Sequence, residues 1–216
     1  MRRHMLFVHG GGEGAHEADQ ELAARLQDAL GAGYEVQFPK MPNEDSPQYG
    51  AWKDRISEEI AGIDGDVILA GHSFGASIVL KYLSEEGPER PVAGVFLVAT
   101  PYWGAEDWEV DEYELQTDFA SKLPEGLPMF FYHGRDDEVV PFEHLALYAK
   151  KLPRATFREF DGRGHQFGYD LFEVVRDIKG VLAYALAEPR DRGAGMIDGE
   201  PTAEFDAWFG SEDAAL

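Results

Sequence analysis

Short, wholly apolar runs alternate along this chain with longer amphipathic runs, and this alternation limits the possible folds severely. Runs such as Val67–Ala70 carry apolar side chains at consecutive positions, so as strands they would be buried on both faces. Parallel sheets covered by helices bury their strands in this way. The predicted strands are Met5–His9, Tyr34–Phe38, Asp66–Ala70, Val92–Ala99, Met129–His133 and Thr156–Phe160.

Amphipathic helices are predicted between these strands. In the first of them Ala18, Leu22, Leu26 and Ala29 recur at helical spacing, and Gly31 then ends the helix. Right-handed crossovers would build an α/β fold, a three-layer α/β/α sandwich around a mainly parallel six-stranded sheet, with ligands at the carboxyl ends of the strands. The predicted helices are Glu17–Leu30, Lys53–Ile63, Phe74–Glu86, Phe142–Lys151 and Leu171–Ala187.

Composition excludes several classes of protein. A length of 216 residues suits one compact domain and is short for two. The absence of cysteine excludes disulfides, thiolate-bound metal and a cysteine nucleophile. With 41 acidic and 19 basic residues, the net charge of −22 repels phosphate backbones, so no nucleic-acid partner is expected.

No targeting or membrane segment is expected. The N-terminal apolar run is only Met5–Val8, whereas a signal sequence needs about 7–15 apolar residues and a membrane span about 20. We therefore expect no membrane partner and a cytoplasmic location.

Residues 1–188 are predicted to form one domain, and two segments depart from the alternation. Residues 101–128 form either a small cap over the site or a strand–helix–strand crossover with Asp118–Leu123 as its helix. Residues 189–216 are acidic, rich in Gly and Ala and without periodicity, which predicts a disordered or loosely docked tail. Phe205, Trp208 and Phe209 are the apolar residues that would anchor such a tail.

A Gly-His-Ser-Phe-Gly pentapeptide, Gly71–Gly75, stands between the apolar run that ends at Ala70 and a predicted helix. This strand–turn–helix setting is the one that a G-x-S-x-G nucleophile elbow requires. The glycines give room where strand and helix approach closely, and the turn exposes the serine hydroxyl at a helix N-terminus. Ser73 is therefore the candidate nucleophile.

A serine hydroxyl needs a base, and a base needs an acid that orients it. His165 follows the last predicted strand through the glycine-containing run Asp161–Gly164, which makes it the candidate base. The run Asp136-Asp137-Glu138 follows the preceding strand. Asp137 is the preferred acid and Asp136 its rival, and at least one of the three acids is expected to be merely solvated.

Backbone N–H groups for an oxyanion hole are expected from two loops. One is His9-Gly10-Gly11-Gly12, where Gly11 is the preferred donor and Gly10 and Gly12 are rivals. The second donor is the N–H of Phe74, directly after the candidate nucleophile. A dinucleotide-binding loop is the competing interpretation, but the glycines give only a weak G-x-G-x-x-A pattern, so no cofactor is expected.

Large apolar residues near strand ends are candidates for a substrate pocket. Trp52, Trp103 and Phe167 are selected for this role, with core packing as the alternative for each. His72 either points into the site or packs beneath the end of the sheet. Glu13 and His16 do not form a cluster with other ligands in the sequence, so no metal site is assigned.

The glycine loop, Ser73, Asp137 and His165 occur in this order, each after a different predicted strand. In this arrangement residues 4–187 resemble the α/β-hydrolase superfamily. Within it the chain is most similar to small serine hydrolases related to retinoblastoma-binding protein nine, through Lys40-Met41-Pro42-Asn43, the elbow and Phe160–Gln166. The resemblance implies a Ser73–Asp137–His165 triad and a sheet of minimal size. The His-Gly-Gly-Gly opening is closer to esterase-like members.

The function expected from these residues is serine hydrolysis of a small or medium ester, thioester or amide through an acyl-enzyme on Ser73, with a carboxylesterase preferred. The expected partner is a small ester-like molecule, and the expected assembly is a monomer or homodimer. The alternative is an interaction protein with a vestigial site. Dehalogenases and epoxide hydrolases on this fold use aspartate at the elbow, so Ser73 disfavours them.

Overall fold

Six strands form one sheet in the part of the chain that the computed structural model describes, residues 2–88 and 90–187. They are β1 (Arg3–Val8), β2 (Tyr34–Gln37), β3 (Val67–His72), β4 (Val92–Val98), β5 (Met129–Gly134) and β6 (Thr156–Phe160). Their order is β2-β1-β3-β4-β5-β6, and every neighbouring pair is parallel. The sheet was expected to be mainly parallel and is entirely so within these residues.

Helices cover both faces of the sheet. They are α1 (Ala15–Leu30), α2 (Tyr49–Ala61), α3 (Ser73–Glu85), α4 (Phe119–Lys122), α5 (Glu143–Lys151) and α6 (Phe172–Ala187). One core cluster joins the sheet to α2, α3 and α5, and the other joins it to α1 and α6. Side chains alternate between the clusters along each strand, as with Leu6 in the first and Phe7 in the second. The three-layer sandwich is confirmed.

The chain divides into a unit from Met1 to Ala185, which contains the sheet, and a unit from Leu186 to Leu216. The predicted tail, residues 189–216, lies outside the described residues.

Among the described residues, no helix combines the length and apolar character that a membrane crossing requires.

The main errors in the predicted bounds lie at α2 and at the elbow. Helix α2 begins at Tyr49, four residues before the predicted Lys53, because Gln48 is extended and its carbonyl already accepts the N–H of Trp52. At the elbow, β3 runs to His72 and α3 begins at Ser73, so no residue of the pentapeptide separates strand from helix.

Residues 101–128 contain little regular structure, and the predicted helix Asp118–Leu123 is the four-residue α4. The segment packs on the same side of the sheet as α3. The Trp103 indole N–H donates to Ser77 Oγ at 2.8 Å, and Lys81 Nζ donates to the Glu114 carbonyl at 2.6 Å. Hydrogen bonds from Trp103 and Lys81 therefore attach this segment to α3, although it forms no long helix of its own.

The two edge strands are less buried than the four inner ones. Every residue of β2 is half-buried, and in β6 Glu159 is exposed. Both strands carry charged side chains: Glu35 lies on β2, and Arg158 precedes Glu159 on β6. The edge positions of the sheet therefore combine partial exposure with charge.

Gly71 allows β3 and α3 to meet at this short distance, and Gly75 allows α3 to approach the end of β1. A Cβ atom at Gly71 would lie 2.6 Å from Ala76 Cα, and one at Gly75 would lie 2.5 Å from the Val8 carbonyl oxygen and overlap that of His9. All of these obstacles are backbone atoms, which cannot rotate away as a side chain can. The N-terminus of α3 therefore rests directly on the end of β1.

We predict that Gly75→Ala lowers the free energy of unfolding by about 1–3 kcal/mol, because the methyl group would force β1 and α3 apart. Urea denaturation measures this change. The matched control is Gly50→Ala, an exposed glycine on α2 whose Cβ would meet nothing within 4 Å. That control should be neutral or stabilising by up to about 1 kcal/mol. Equal destabilisation by both variants would contradict the close-approach argument.

Candidate active site

The candidate site lies where the carboxyl ends of β1 and β3 adjoin. These strands pair in register up to Val8 and Gly71, and the chain order of the sheet reverses between them. Open parallel sheets bind ligands at such a reversal. The glycine loop follows β1 and Ser73 follows β3, so two of the predicted elements are neighbours through the topology of the sheet alone.

Ser73 occupies the turn in a strained backbone conformation. Its φ of +52° lies in the left-handed region, which costs a non-glycine residue about 1–3 kcal/mol. The surrounding close contacts hold it there and present the hydroxyl at the first residue of α3. Ser73 Oγ lies 3.0 Å from Nε2 of His165, which is in the loop after β6.

His165 is held on its other side by Asp137. Nδ1 of His165 lies 3.0 Å from each carboxylate oxygen of Asp137, whose side chain is fully buried in the loop after β5. Asp137 Oδ1 also accepts the N–H groups of Val139 and Val140 at 2.9 Å. Burial by itself raises the pKa of Asp137, but hydrogen bonds from His133 and His165 outweigh it and lower the pKa.

Every carboxylate of the acidic run binds the loop that carries His165. Asp136 accepts the backbone N–H groups of Arg163 and Gly164 at 3.1 and 3.2 Å. Glu138 accepts the backbone N–H of His165 at 3.2 Å. The expectation that at least one of these acids is merely solvated was wrong, because the loops after β5 and β6 lie side by side and the second presents unpaired backbone donors to the first.

The three glycines of the glycine loop differ in what their N–H groups bind within the described residues. The N–H of Gly10 donates to Asp19 Oδ2 at 2.8 Å, and that of Gly12 donates to the Glu44 carbonyl. Among the described residues, the N–H of Gly11 has no protein acceptor. Gly11 also lies against the Phe74 side chain, since a Cβ atom there would be 3.0 Å from Phe74 Cγ. Phe74 is in the first turn of α3, where backbone N–H groups have no partner within the helix.

A buried Asp19–His72 pair adjoins the site, and the sequence analysis missed it. His72 Nδ1 lies 2.9 Å from Asp19 Oδ2, and both side chains are almost fully buried. The predicted apolar stripe of the first helix contained Ala18, which is exposed, whereas Asp19 is buried beside Leu22. The spacing of Asp19 to Leu22 and Leu26, three and then four residues, was the available signal.

A cavity of about 230 Å³ opens beside Ser73 and His165. Its walls come from the glycine loop, the start of α1, the junction of β3 with α3 and the loops after β5 and β6. Its lining residues are Gly10, Gly11, Glu13, Gly14, Ala15, Ala18, Asp19, His72, Ser73, Val139, His165 and Gln166. No described residue of 101–128 contributes to this lining.

None of the three residues selected for a substrate pocket lines this cavity. Trp52 is fully buried in the α2–α3 core, and its indole N–H donates to the Pro42 carbonyl at 2.8 Å. Phe167 is fully buried in the opposite core cluster. Trp103 is half-buried, contacts Phe74 edge-on and is not among the lining residues. Core packing, the alternative for each residue, describes Trp52 and Phe167, because proximity to a strand end does not tell which side of the sheet a residue covers.

No group of three or more side chains in the described ranges is arranged to hold a metal ion. The two residues considered for such a role have other surroundings. Glu13 is exposed at the cavity, and His16 stacks on Phe38 with ring centroids 4.6 Å apart.

A sequence model of the serine hydrolase family matches residues 6–172, most of the chain. The chain therefore belongs to the serine hydrolase family, and its resemblance to α/β-hydrolases is confirmed. No curated protein sequence matches it.

Several solved structures share the fold. The ydeN gene product of Bacillus subtilis is 21% identical with a TM-score of 0.70, and the alignment covers 84% of this chain and 99% of that one. Est1E from Butyrivibrio proteoclasticus is 18% identical with a TM-score of 0.64, covering 87% and 89%. SOBER1 from Arabidopsis thaliana is 18% identical with a TM-score of 0.61, covering 86% and 100%. At these levels of sequence identity, the structural similarity shows a shared fold and nothing further.

Proposed function

We propose that this serine hydrolase cleaves small carboxylic esters through an acyl-enzyme on Ser73. The observation that carries the proposal is the continuous chain of contacts from Ser73 Oγ to His165 and from His165 to the buried Asp137, each at 3.0 Å. A nucleophile, a base and an orienting acid in this order define the geometry of serine acyl transfer.

In acylation, Ser73 Oγ attacks the ester carbonyl carbon while its proton passes to Nε2 of His165. Asp137 favours the tautomer with the proton on Nδ1, which leaves the Nε2 lone pair facing the hydroxyl. The carboxylate then stabilises the imidazolium that forms. Its lowered pKa keeps Asp137 ionised for this task at neutral pH.

The carbonyl oxygen becomes an oxyanion as the tetrahedral intermediate forms, and it needs N–H donors. We assign these donors to Gly11 and Phe74. Gly11 is favoured over its neighbours because the N–H groups of Gly10 and Gly12 already have acceptors. The positive end of the α3 dipole adds to the stabilisation at Phe74.

The imidazolium next gives its proton to the leaving alkoxide, and the C–O bond of the ester breaks. A water molecule then transfers a proton to Nε2 of His165 and attacks the acyl-enzyme carbonyl. Return of that proton to Ser73 Oγ releases the carboxylic acid and restores the site. The histidine alternates between base and acid, so the cycle needs no cofactor.

The volume of the cavity favours a small substrate. Its volume of about 230 Å³ is below the roughly 300–1,000 Å³ of pockets that hold drug-sized ligands. Aromatic residues of 101–128, which would have narrowed or capped it, pack on α3 and α5 instead. We therefore propose that residues 101–128 act as a crossover of the hydrolase domain and leave the cavity uncapped.

We predict that an activated fluorophosphonate probe labels the wild-type protein at Ser73 and that Ser73→Ala abolishes labelling. Ester turnover by this variant should fall by about 10⁴-fold or more, because no other group forms the acyl-enzyme. Mass spectrometry of the labelled peptide measures the site. Ser121→Ala, which removes an exposed hydroxyl on α4, is the control and should label normally. Labelling of Ser73→Ala would reject the mechanism.

Asp137→Asn should lower kcat by about 10⁴-fold, because an amide does not enforce the required tautomer of His165. Asp136→Asn should cost at most about tenfold, since Asp136 contacts only backbone N–H groups of the loop. Steady-state kinetics on one ester, with circular dichroism to check folding, compares the two. A larger loss in Asp136→Asn would assign the acid to Asp136 instead.

A series of p-nitrophenyl esters should show a preference for short acyl chains. We expect kcat/KM for the acetate and butyrate to exceed that for the decanoate by about tenfold or more, because a long chain does not fit the cavity. Ser73→Ala supplies the background rate for each ester. A rate that rises with chain length up to the decanoate would contradict the proposed substrate size.

A further inference from the structure

The buried Asp19–His72 pair contacts both sides of the site. Asp19 Oδ2 accepts the N–H of Gly10 at 2.8 Å and faces His72 Nδ1 at 2.9 Å. At the far end of the ring, Nε2 of His72 lies 3.0 Å from the backbone carbonyl oxygen of His165. The pair therefore connects the glycine loop to the loop that carries His165.

Both ring nitrogens of His72 face acceptors. A backbone carbonyl oxygen only accepts hydrogen bonds, and an ionised carboxylate also only accepts them. A neutral imidazole has a single N–H and would leave one nitrogen lone pair against one of these oxygens. An imidazolium has two N–H groups and satisfies both, which is what burial of a polar group requires.

His9 gives the contrasting case nearby. Its Nε2 accepts the N–H of Met41 at 2.9 Å, and its Nδ1 lies 2.6 Å from the Gly10 carbonyl oxygen. One donor and one acceptor suit a neutral ring, and burial lowers the pKa of His9. The two buried histidines thus differ in the chemistry of their partners, although both stand at the end of an inner strand.

We infer that His72 is an imidazolium paired with the Asp19 carboxylate at neutral pH, and that this pair is a positioning element for the catalytic loops. The inference rests on the proposed function, since it concerns the same site. The Asp19 carboxylate fixes Gly10, which sets the backbone of the adjacent Gly11. The His72 Nε2–H donates to the carbonyl of His165, which sets the backbone of the base.

The surrounding charges agree with an ion pair. Burial opposes ionisation of both groups, but their mutual attraction prevails: the pKa of His72 is raised and that of Asp19 is lowered. Gln166 and the Gly10 N–H also favour the ionised form of Asp19. In the described part of the chain, the other ionisable groups facing His72 are Asp137, which favours the imidazolium, and His165, whose ring centroid is 4.8 Å away.

The test begins with the protonation of His72 in the substrate-free wild-type protein. Long-range ¹H–¹⁵N NMR of protein labelled on histidine nitrogen distinguishes an imidazolium from either neutral tautomer, and His72→Gln identifies the His72 signals. At pH 8, above the ordinary histidine pKa of 6.5, we expect two protonated nitrogens on His72. A single proton on the wild-type ring would overturn the inference.

The second arm uses Asp19→Asn, which retains the shape of the side chain and removes its charge. In this variant we expect His72 to carry one proton at pH 8. We expect kcat for a short ester to fall by about 10- to 100-fold, with KM within about twofold, because the loops lose their alignment while asparagine keeps the shape of Asp19 where it lines the cavity. Fluorophosphonate labelling of Ser73 should still reach completion.

Asp28→Asn is the matched control, since it makes the same chemical change at an exposed position of α1. It should leave the His72 spectrum and kcat unchanged. An unaltered kcat in Asp19→Asn would overturn the positioning role. If Asp19→Asn does not fold, the wild-type spectrum still decides the charge of His72. Absence of fluorophosphonate labelling in the wild type would instead reject the proposed function. The two failures are distinguishable, because the spectrum that tests the charge of His72 is recorded without substrate.

Discussion

Direct backbone contact between the N-terminus of α3 and the end of β1 is the constraint on which the site depends. Gly75 makes this contact possible and Gly71 lets the same turn of α3 lie against β3, since a methyl group at either position would overlap backbone atoms. The contact leaves no residue between β3 and α3, so Ser73 takes a left-handed φ of +52° and its hydroxyl stands clear of the sheet. Strain at one residue is maintained by the packing of two whole elements.

Around this fixed serine, the other groups are held mostly by backbone hydrogen bonds. Three consecutive carboxylates, Asp136, Asp137 and Glu138, all bind the segment 163–165. On the opposite side, Asp19 and His72 bind the glycine loop and the His165 carbonyl. The candidate base is therefore held through its ring, its N–H and its carbonyl, and each contact comes from a different residue.

The sequence was sufficient for the sheet, the elbow and the meeting of Ser73, His165 and Asp137. Strands buried on both faces leave an unmistakable apolar pattern, and parallel topology brings their carboxyl ends together. It was insufficient for the cavity lining. Trp52 and Phe167 are large apolar residues near strand ends, as pocket residues often are. The side of the sheet that each covers, however, depends on how distant helices pack.

Asp19 shows a second limit of sequence reasoning. A carboxylate on the buried face of a helix is costly unless it finds donors, and its donors here come from Gly10 and His72, 9 and 53 residues away. Local periodicity favours Ala18 for the buried stripe because alanine is apolar. Only the tertiary structure supplies the partners that make the buried acid the better solution.

The charged edges of the sheet bear on how copies of this protein meet. An outer strand exposes unpaired backbone groups that can recruit a strand of another molecule, and charged side chains oppose that pairing. Glu35 on one edge and Glu159 on the other belong to a chain whose net charge is −22. Charged side chains on both outer strands, in a chain of this net charge, therefore disfavour fibril-like association through the edges of the sheet.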